Sequence, residues 1–159
     1  MAAKAIELRF EDLNGFYFEG DVEVSQTEVG AGVFKTEIPD IVDCSKAITV
    51  DFNWTTEGLF TPIPGRWKVD VIFEEMGPGE APASVSGYYA HPHLAIGALP
   101  FPFNYDHTTA LNVPASHCAA GLYRVLFRLR FEQELPIGFG TYVPTPIVAF
   151  GEAGLIEFT

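Results

Sequence analysis

The sequence predicts an all-β fold, an antiparallel β-sandwich of about eight or nine strands, on three observations. Three runs alternate apolar and polar side chains with the period of a half-buried strand. No segment carries the longer period of an amphipathic helix over about ten residues or more. Turn-forming residues, 15 Gly and 12 Pro in 159, punctuate the chain throughout, which favours a sandwich over a closed barrel. With 48% hydrophobic residues, the chain can bury one core, so residues 1–159 read as a single domain.

The first elements are strands at about 5–12 and 16–24, joined at Asn14-Gly15, a dipeptide that suits a tight hairpin because both turn positions favour positive φ. Ile48, Val50, Phe52 and Trp54 then alternate with polar residues over 48–55. After the Pro/Gly loop Leu59 to Gly65, Trp67, Val69, Val71 and Phe73 take the inward positions of a strand over 67–74, with Ile72 as its one exception. The stretch Gly77 to Asp106 is too long for a structureless loop. It is expected to hold a short strand near 85–89, and its remainder reads as a lid or flap. A strand over 108–113 follows. The third alternating run, 123–132, sets Tyr123, Val125, Phe127, Leu129 and Phe131 on one face and Arg124, Arg128 and Arg130 on the other. Two last strands, 146–150 and 155–158, are split by Gly151-Glu152-Ala153-Gly154.

Nine Lys and Arg against 21 Asp and Glu give a net charge of −12, which argues against nucleic-acid and anionic-membrane partners. No apolar run approaches the roughly 18 residues of a membrane helix, and the N-terminus has no signal-peptide pattern. Cys44 and Cys118 are compatible with a reducing compartment, so a cytoplasmic location is expected. The sequon Asn53-Trp54-Thr55 carries no functional weight without a secretory signal.

Pro64-Gly65-Arg66-Trp67 and Ala120-Gly121-Leu122-Tyr123 share a form: a turn ending in Gly, one spacer, a large aromatic, then alternation. Here the chain resembles an immunoglobulin-like β-sandwich over about half its length. The resemblance implies that Trp67 is the core tryptophan of the third strand and Tyr123 the tyrosine corner, bonding upstream backbone such as that near Leu111 to Pro114. Val125 stands where that family has its second core cysteine. Cys44 and Cys118 lie outside the strand centres, which departs from the antibody pattern. A fold-level resemblance transfers no function.

The candidate sites are few. His91-Pro92-His93 would project two imidazoles to one side of an extended chain, and His107, His117 or Cys118 would complete a zinc set. His91, His93 and His107 are therefore the weak metal candidates, against the absence of Cys-x-x-Cys or His-Glu-x-x-His spacing. Ser84 or Ser86 with His91 or His93 and Asp106 would make a hydrolytic triad only if the fold converged them; no nucleophile elbow enforces it. Gly138-Phe139-Gly140 leads into a Pro-rich extended segment, not the helix a phosphate loop requires. Asp51 and Asp70 read as solvated groups on neighbouring strands, available to pair with the arginine stripe. The interaction candidates are Tyr88, Tyr89, Phe101, Phe103, Tyr105 and Tyr142, aromatics among Pro and Gly that serve either as a recognition surface or as a plug for one end of the sandwich.

No cofactor is implied. The expected function is a non-catalytic acidic domain that binds a protein partner or itself. A small apolar-ligand carrier with a barrel-like cavity and a metal-dependent enzyme at the histidine loop are the alternatives.

Overall fold

The computed structural model describes residues 4–5, 7–8, 16–27, 35–37, 41–58, 63–77, 83–91 and 104–159. Among these residues every regular element is a strand. Seven are long: β3 (Phe16–Thr27), β6 (Ile48–Gly58), β7 (Gly65–Glu75), β8 (Ala83–His91), β9 (Asn104–Val113), β10 (Gly121–Glu134) and β11 (Tyr142–Phe158). Four are short: β1 (Lys4–Ala5), β2 (Glu7–Leu8), β4 (Lys35–Glu37) and β5 (Ile41–Val42). The short segments take the count above the eight or nine expected, and two of them, β4 and β5, carry no sequence signal of the kind that marks the long strands.

The strands form two sheets. One runs β1-β3-β6-β9 with β4 on the side of β3, and the other runs β2-β11-β10-β7-β8 with β5 beside β11. Neither closes into a barrel. The chain crosses between sheets from β6 to β7, from β8 to β9 and from β9 to β10, while β7–β8 and β10–β11 pair as antiparallel neighbours. These crossings correct one expectation: Asp51 on β6 and Asp70 on β7 are not on adjacent strands but on different sheets.

The three alternating runs bury the sides they predict. Ile48, Val50, Phe52 and Trp54 face Trp67, Val69, Val71 and Phe73 and the five inward residues of β10 in one core. Trp67 is 2% exposed. The rings interlock edge to face, Phe52 on Phe127 at 6.2 Å and Trp54 on Trp67 at 5.6 Å between centroids, the arrangement that the aromatic quadrupole favours. Gly87 on β8 lets the two sheets approach closely, because a Cβ there would overlap the Leu111 side chain of β9.

Two expectations are corrected by register. A tight turn at Asn14-Gly15 would set Ala5 opposite Val24, yet Ala5 faces Asp21, and Glu7–Leu8 pairs with β11 in the other sheet. The N-terminal segment is therefore divided between sheets; the turn itself lies outside the described residues. Gly151 to Gly154 does not split the last strand. Val125 faces Gly154 and Leu126 faces Glu152, leaving Ala153 as a bulge residue. Gly154 adopts φ 115, and Ala153 is buried in the core. A bulge absorbs the extra residue without ending the strand. Farther along, β11 slips again between the partners of Arg130 and Glu132. Here Pro144 and Pro146 have no N–H to give the ladder, and the Thr145 hydroxyl instead donates to the Phe131 carbonyl at 2.7 Å.

Tyr123 is buried, and its hydroxyl bonds backbone at Ala119, not at the expected Leu111 to Pro114. The arginine stripe pairs mainly with carboxylates of its own sheet. Arg128 donates to Asp70 through Nε and Nη2 at 2.9 and 2.7 Å, Arg124 reaches Glu74 at 3.5 Å, and Arg130 reaches Glu132 at 3.4 Å. Asp70 also accepts from Ser86 at 2.6 Å. Burial raises its pKa, but Ser86, Arg128 and Lys68 together outweigh burial and hold it below the ordinary carboxylate value.

Candidate functional site

One end of the sandwich gathers most of the chemistry-bearing side chains. Here β7 begins, β8 ends, β9 begins, and β10 turns into β11. Inward residues at this end converge because alternation points Trp54, Thr56, Trp67, Tyr89, His91, Tyr105, His107 and Phe131 between the sheets. His107, 2% exposed, stacks on Trp54 with centroids 4.8 Å apart and planes only 8° apart. Its Nε2 shares a hydrogen bond with the Thr56 hydroxyl at 2.9 Å. The His91 ring lies 5.0 Å from it, and Tyr89 and Tyr105 meet it edge-on at 5.8 and 4.7 Å. Burial, aided by repulsion from His91, lowers the His107 pKa to about 3, so its imidazole stays neutral. Three nitrogens of this nest, Trp54 Nε1, Trp67 Nε1 and His107 Nδ1, are buried and make no hydrogen bond.

The structure thus brings His91 and His107 together, whereas His93 lies outside the described residues. His117 is elsewhere, against Phe73 at 6.4 Å, so neither it nor the adjoining Cys118 completes a set with His91. Among the described residues no group of three His, Cys, Asp or Glu side chains gathers. The hydrolytic triad also fails to converge. Ser84 and Ser86 point outward from β8 while His91 on the same strand points inward, and Asp106 is held by the Thr55 hydroxyl at 2.6 Å on the outer face of the other sheet. Burial raises the Cys118 pKa to about 11, which keeps that thiol protonated and unreactive.

The interaction candidates divide into two groups. Tyr89 and Tyr105 point inward, half-buried, and pack against His107. Tyr88 and Tyr142 lie on the outer face of the second sheet, one on each side of Arg66. Its guanidinium carbon is 3.9 Å from the Tyr88 centroid and 4.1 Å from that of Tyr142, a cation–π sandwich. Glu132 fixes the same Arg66 at 2.7 Å. Tyr88 remains 57% exposed. Phe101 and Phe103 lie outside the described residues.

Among the described residues, one group of exposed apolar side chains was missed by sequence reasoning. The turn from β10 to β11 carries Leu135, Ile137 and Phe139, and Val143 follows on β11; Phe139 is 78% exposed and Ile137 55%. Gly138 and Gly140, at φ 84 and 69, supply the left-handed backbone that turns the chain here. The Glu134 carboxylate accepts from the Gly140 N–H at 2.8 Å. The signal available was Leu135-Pro136-Ile137-Gly138-Phe139-Gly140 itself: turn residues interleaved with large apolar ones, where a solvated turn would carry polar side chains.

A shallow cavity of about 560 Å³ lies on the outer face of β3, β6 and β9. Its polar side chains are bonded largely to one another: Asn53 to Asp21 at 3.3 Å, Thr55 to Asp106, and Thr108 to Asn53.

Comparison of the chain with protein-family models, with curated proteins and with solved structures finds no match.

Proposed function

We propose that this protein is a non-catalytic β-sandwich domain of immunoglobulin-like topology that binds a protein partner through the turn between β10 and β11. The observation that carries the reading is the group Leu135, Ile137, Phe139 and Val143, four large apolar side chains exposed around one turn. Concentrations of exposed apolar surface mark contact sites. The Tyr88–Arg66–Tyr142 sandwich lies beside it and supplies residue types enriched in interfaces. The net charge of −12 opposes self-association and favours a neutral or basic partner.

The strand order supports the topology. Counting the long strands in chain order, β3, β6 and β9 are first, second and fifth in one sheet, and β8, β7, β10 and β11 are fourth, third, sixth and seventh in the other. An immunoglobulin-like sandwich likewise keeps A, B and E apart from C, F and G. Trp67 then falls on the third strand and Tyr123 on the sixth. The interior favours a binding module over a carrier, since Phe52, Trp54, Trp67, Phe73, Phe127 and Phe131 fill the space between the sheets. A cytoplasmic location accords with the unpaired state of Cys44 and Cys118. No helix among the described residues is long and apolar enough to cross a membrane.

The test is a photo-crosslinking residue placed at position 139 in the native host, read by mass spectrometry, with Ser84 on the outer face of β8 as the control position. Crosslinks to one protein from 139 and not from 84, lost on Ile137→Asp, support the reading. Crosslinks only to a second copy of the chain replace the partner by self-association. No specific adduct from 139 overturns it.

A further inference from the structure

Three buried polar nitrogens without partners sit on contiguous rings. The centroids of Trp54, Trp67 and His107 are separated by 5.6, 4.8 and 6.0 Å, and the orphaned atoms are Trp54 Nε1, Trp67 Nε1 and His107 Nδ1. Each such group carries the full cost of its desolvation when nothing satisfies it. Native interiors leave few of them, and a group that remains points to an ordered water or a bound molecule. Three such nitrogens on rings in contact therefore point to one small polar group among them, and the chemistry of the nitrogens defines it. The indoles offer two N–H donors and no acceptor. The imidazole offers a lone pair at Nδ1 if Nε2–H donates to Thr56, or an N–H there if the Thr56 hydroxyl donates to Nε2. Its lowered pKa adds that it is not a cation, so nothing in the nest calls for an anion.

We infer that the Trp54–Trp67–His107 nest between the two sheets binds a hydroxyl oxygen, either that of a water molecule or that of a small hydroxyl-bearing ligand. A hydroxyl oxygen uses its two lone pairs to accept from the indoles and gives its proton to Nδ1, which suits the tautomer whose Nε2–H donates to Thr56. A carbonyl oxygen accepts from the two indoles but has no proton to give to Nδ1. The competing account is that the indole N–H groups point at aromatic faces, since Trp67 meets Trp54 and His107 at 73° and 67°, and N–H···π contacts are weak but real.

The two accounts differ in proton NMR of the uniformly ¹⁵N-labelled full chain. With only two tryptophans, the two indole N–H signals are assigned by Trp54→Phe. An oxygen acceptor moves both signals downfield of the free indole position, and ring-face contacts move them upfield. The inference expects downfield signals with cross-peaks to a long-lived water resonance, both weakened when His107→Phe removes the third partner. Cross-peaks to non-water protons, with matching extra mass under native conditions that is lost on denaturation, identify the small-ligand form of the same site. Upfield indole signals with no cross-peak to either source overturn the inference, and this result is read on the unsubstituted protein, independent of how the variants fold.

Discussion

Acidification is expected to weaken the fold through His107 before most carboxylates protonate. Its pKa is about 3 when folded against an ordinary 6.5. The unfolded chain therefore binds a proton that the folded chain refuses, and stability falls as the pH drops through the window between these two values. At about pH 4.5 the unfolded imidazole is two units below its pKa and almost fully charged, while the folded one is still neutral. At about 1.36 kcal/mol per unit, the loss relative to about pH 7.5 comes to roughly 2.7 kcal/mol from this residue alone. The groups packed around it offer no relief. His91, 5.0 Å away, opposes a second charge, and Trp54, Tyr89, Tyr105 and Thr56 bring no carboxylate. The assay is urea unfolding followed by tryptophan fluorescence across that range, for the wild type and for His107→Phe, which keeps a ring against Trp54. Carboxylates titrate in both proteins and cancel in the difference. The wild type should lose about 2–3 kcal/mol more than the variant between the two pH values. Parallel stability curves, or an imidazole signal from His107 that titrates near its ordinary value, would refute the claim that this ring is buried and neutral.

Asp70→Asn should destabilise by about 1–3 kcal/mol at neutral pH by removing the charge that Arg128 and Ser86 hold. The Asp70 pKa is lowered, so this gap is full above the ordinary value of 3.8 and closes as the pH falls through the folded pKa, measured by the same unfolding curves. Gly87→Ala should cost about 1–3 kcal/mol, since the added methyl meets Leu111 across the gap between β8 and β9; the pair Gly87→Ala with Leu111→Ala should recover part of that loss, and full additivity contradicts the contact. Tyr123→Phe should cost about 1 kcal/mol by removing the bond to Ala119, and faster amide exchange at Ala119 should accompany it.

What could be read directly was whatever depends on local periodicity. The inward sets of β6, β7 and β10 follow from alternation, because a pleated strand must send alternate side chains to opposite faces, and their burial holds residue for residue. Alternation names the buried face but not the sheet. Asp51 and Asp70 both read as solvated outward groups, yet Asp70 is buried beneath Ser86 and Arg128, and the crossing from β6 to β7 puts the two on different sheets. Nor can it distinguish a turn from a bulge. Gly151 to Gly154 has turn composition, and only the pairing with Val125 and Leu126 keeps it inside β11.

The same division governs the candidate site. Tyr88, Tyr89, Tyr105 and Tyr142 belong to one compositional group in the sequence, and strand parity and edge position separate them into an outward pair around Arg66 and an inward pair around His107. His91 and His107 lie on different sheets, so their approach to 5.0 Å is decided by how β8 and β9 stack. Phe139 escaped notice because an apolar residue in a turn ordinarily finds cover, and exposure is a property of the whole surface. By itself the sequence determined an all-β chain, its main strands and the faces they bury, since those depend on a repeat of two residues. The sheet each strand joins, the nest at one end and the bare apolar turn beside it were decided only by tertiary structure, because they depend on contacts between residues far apart in the chain.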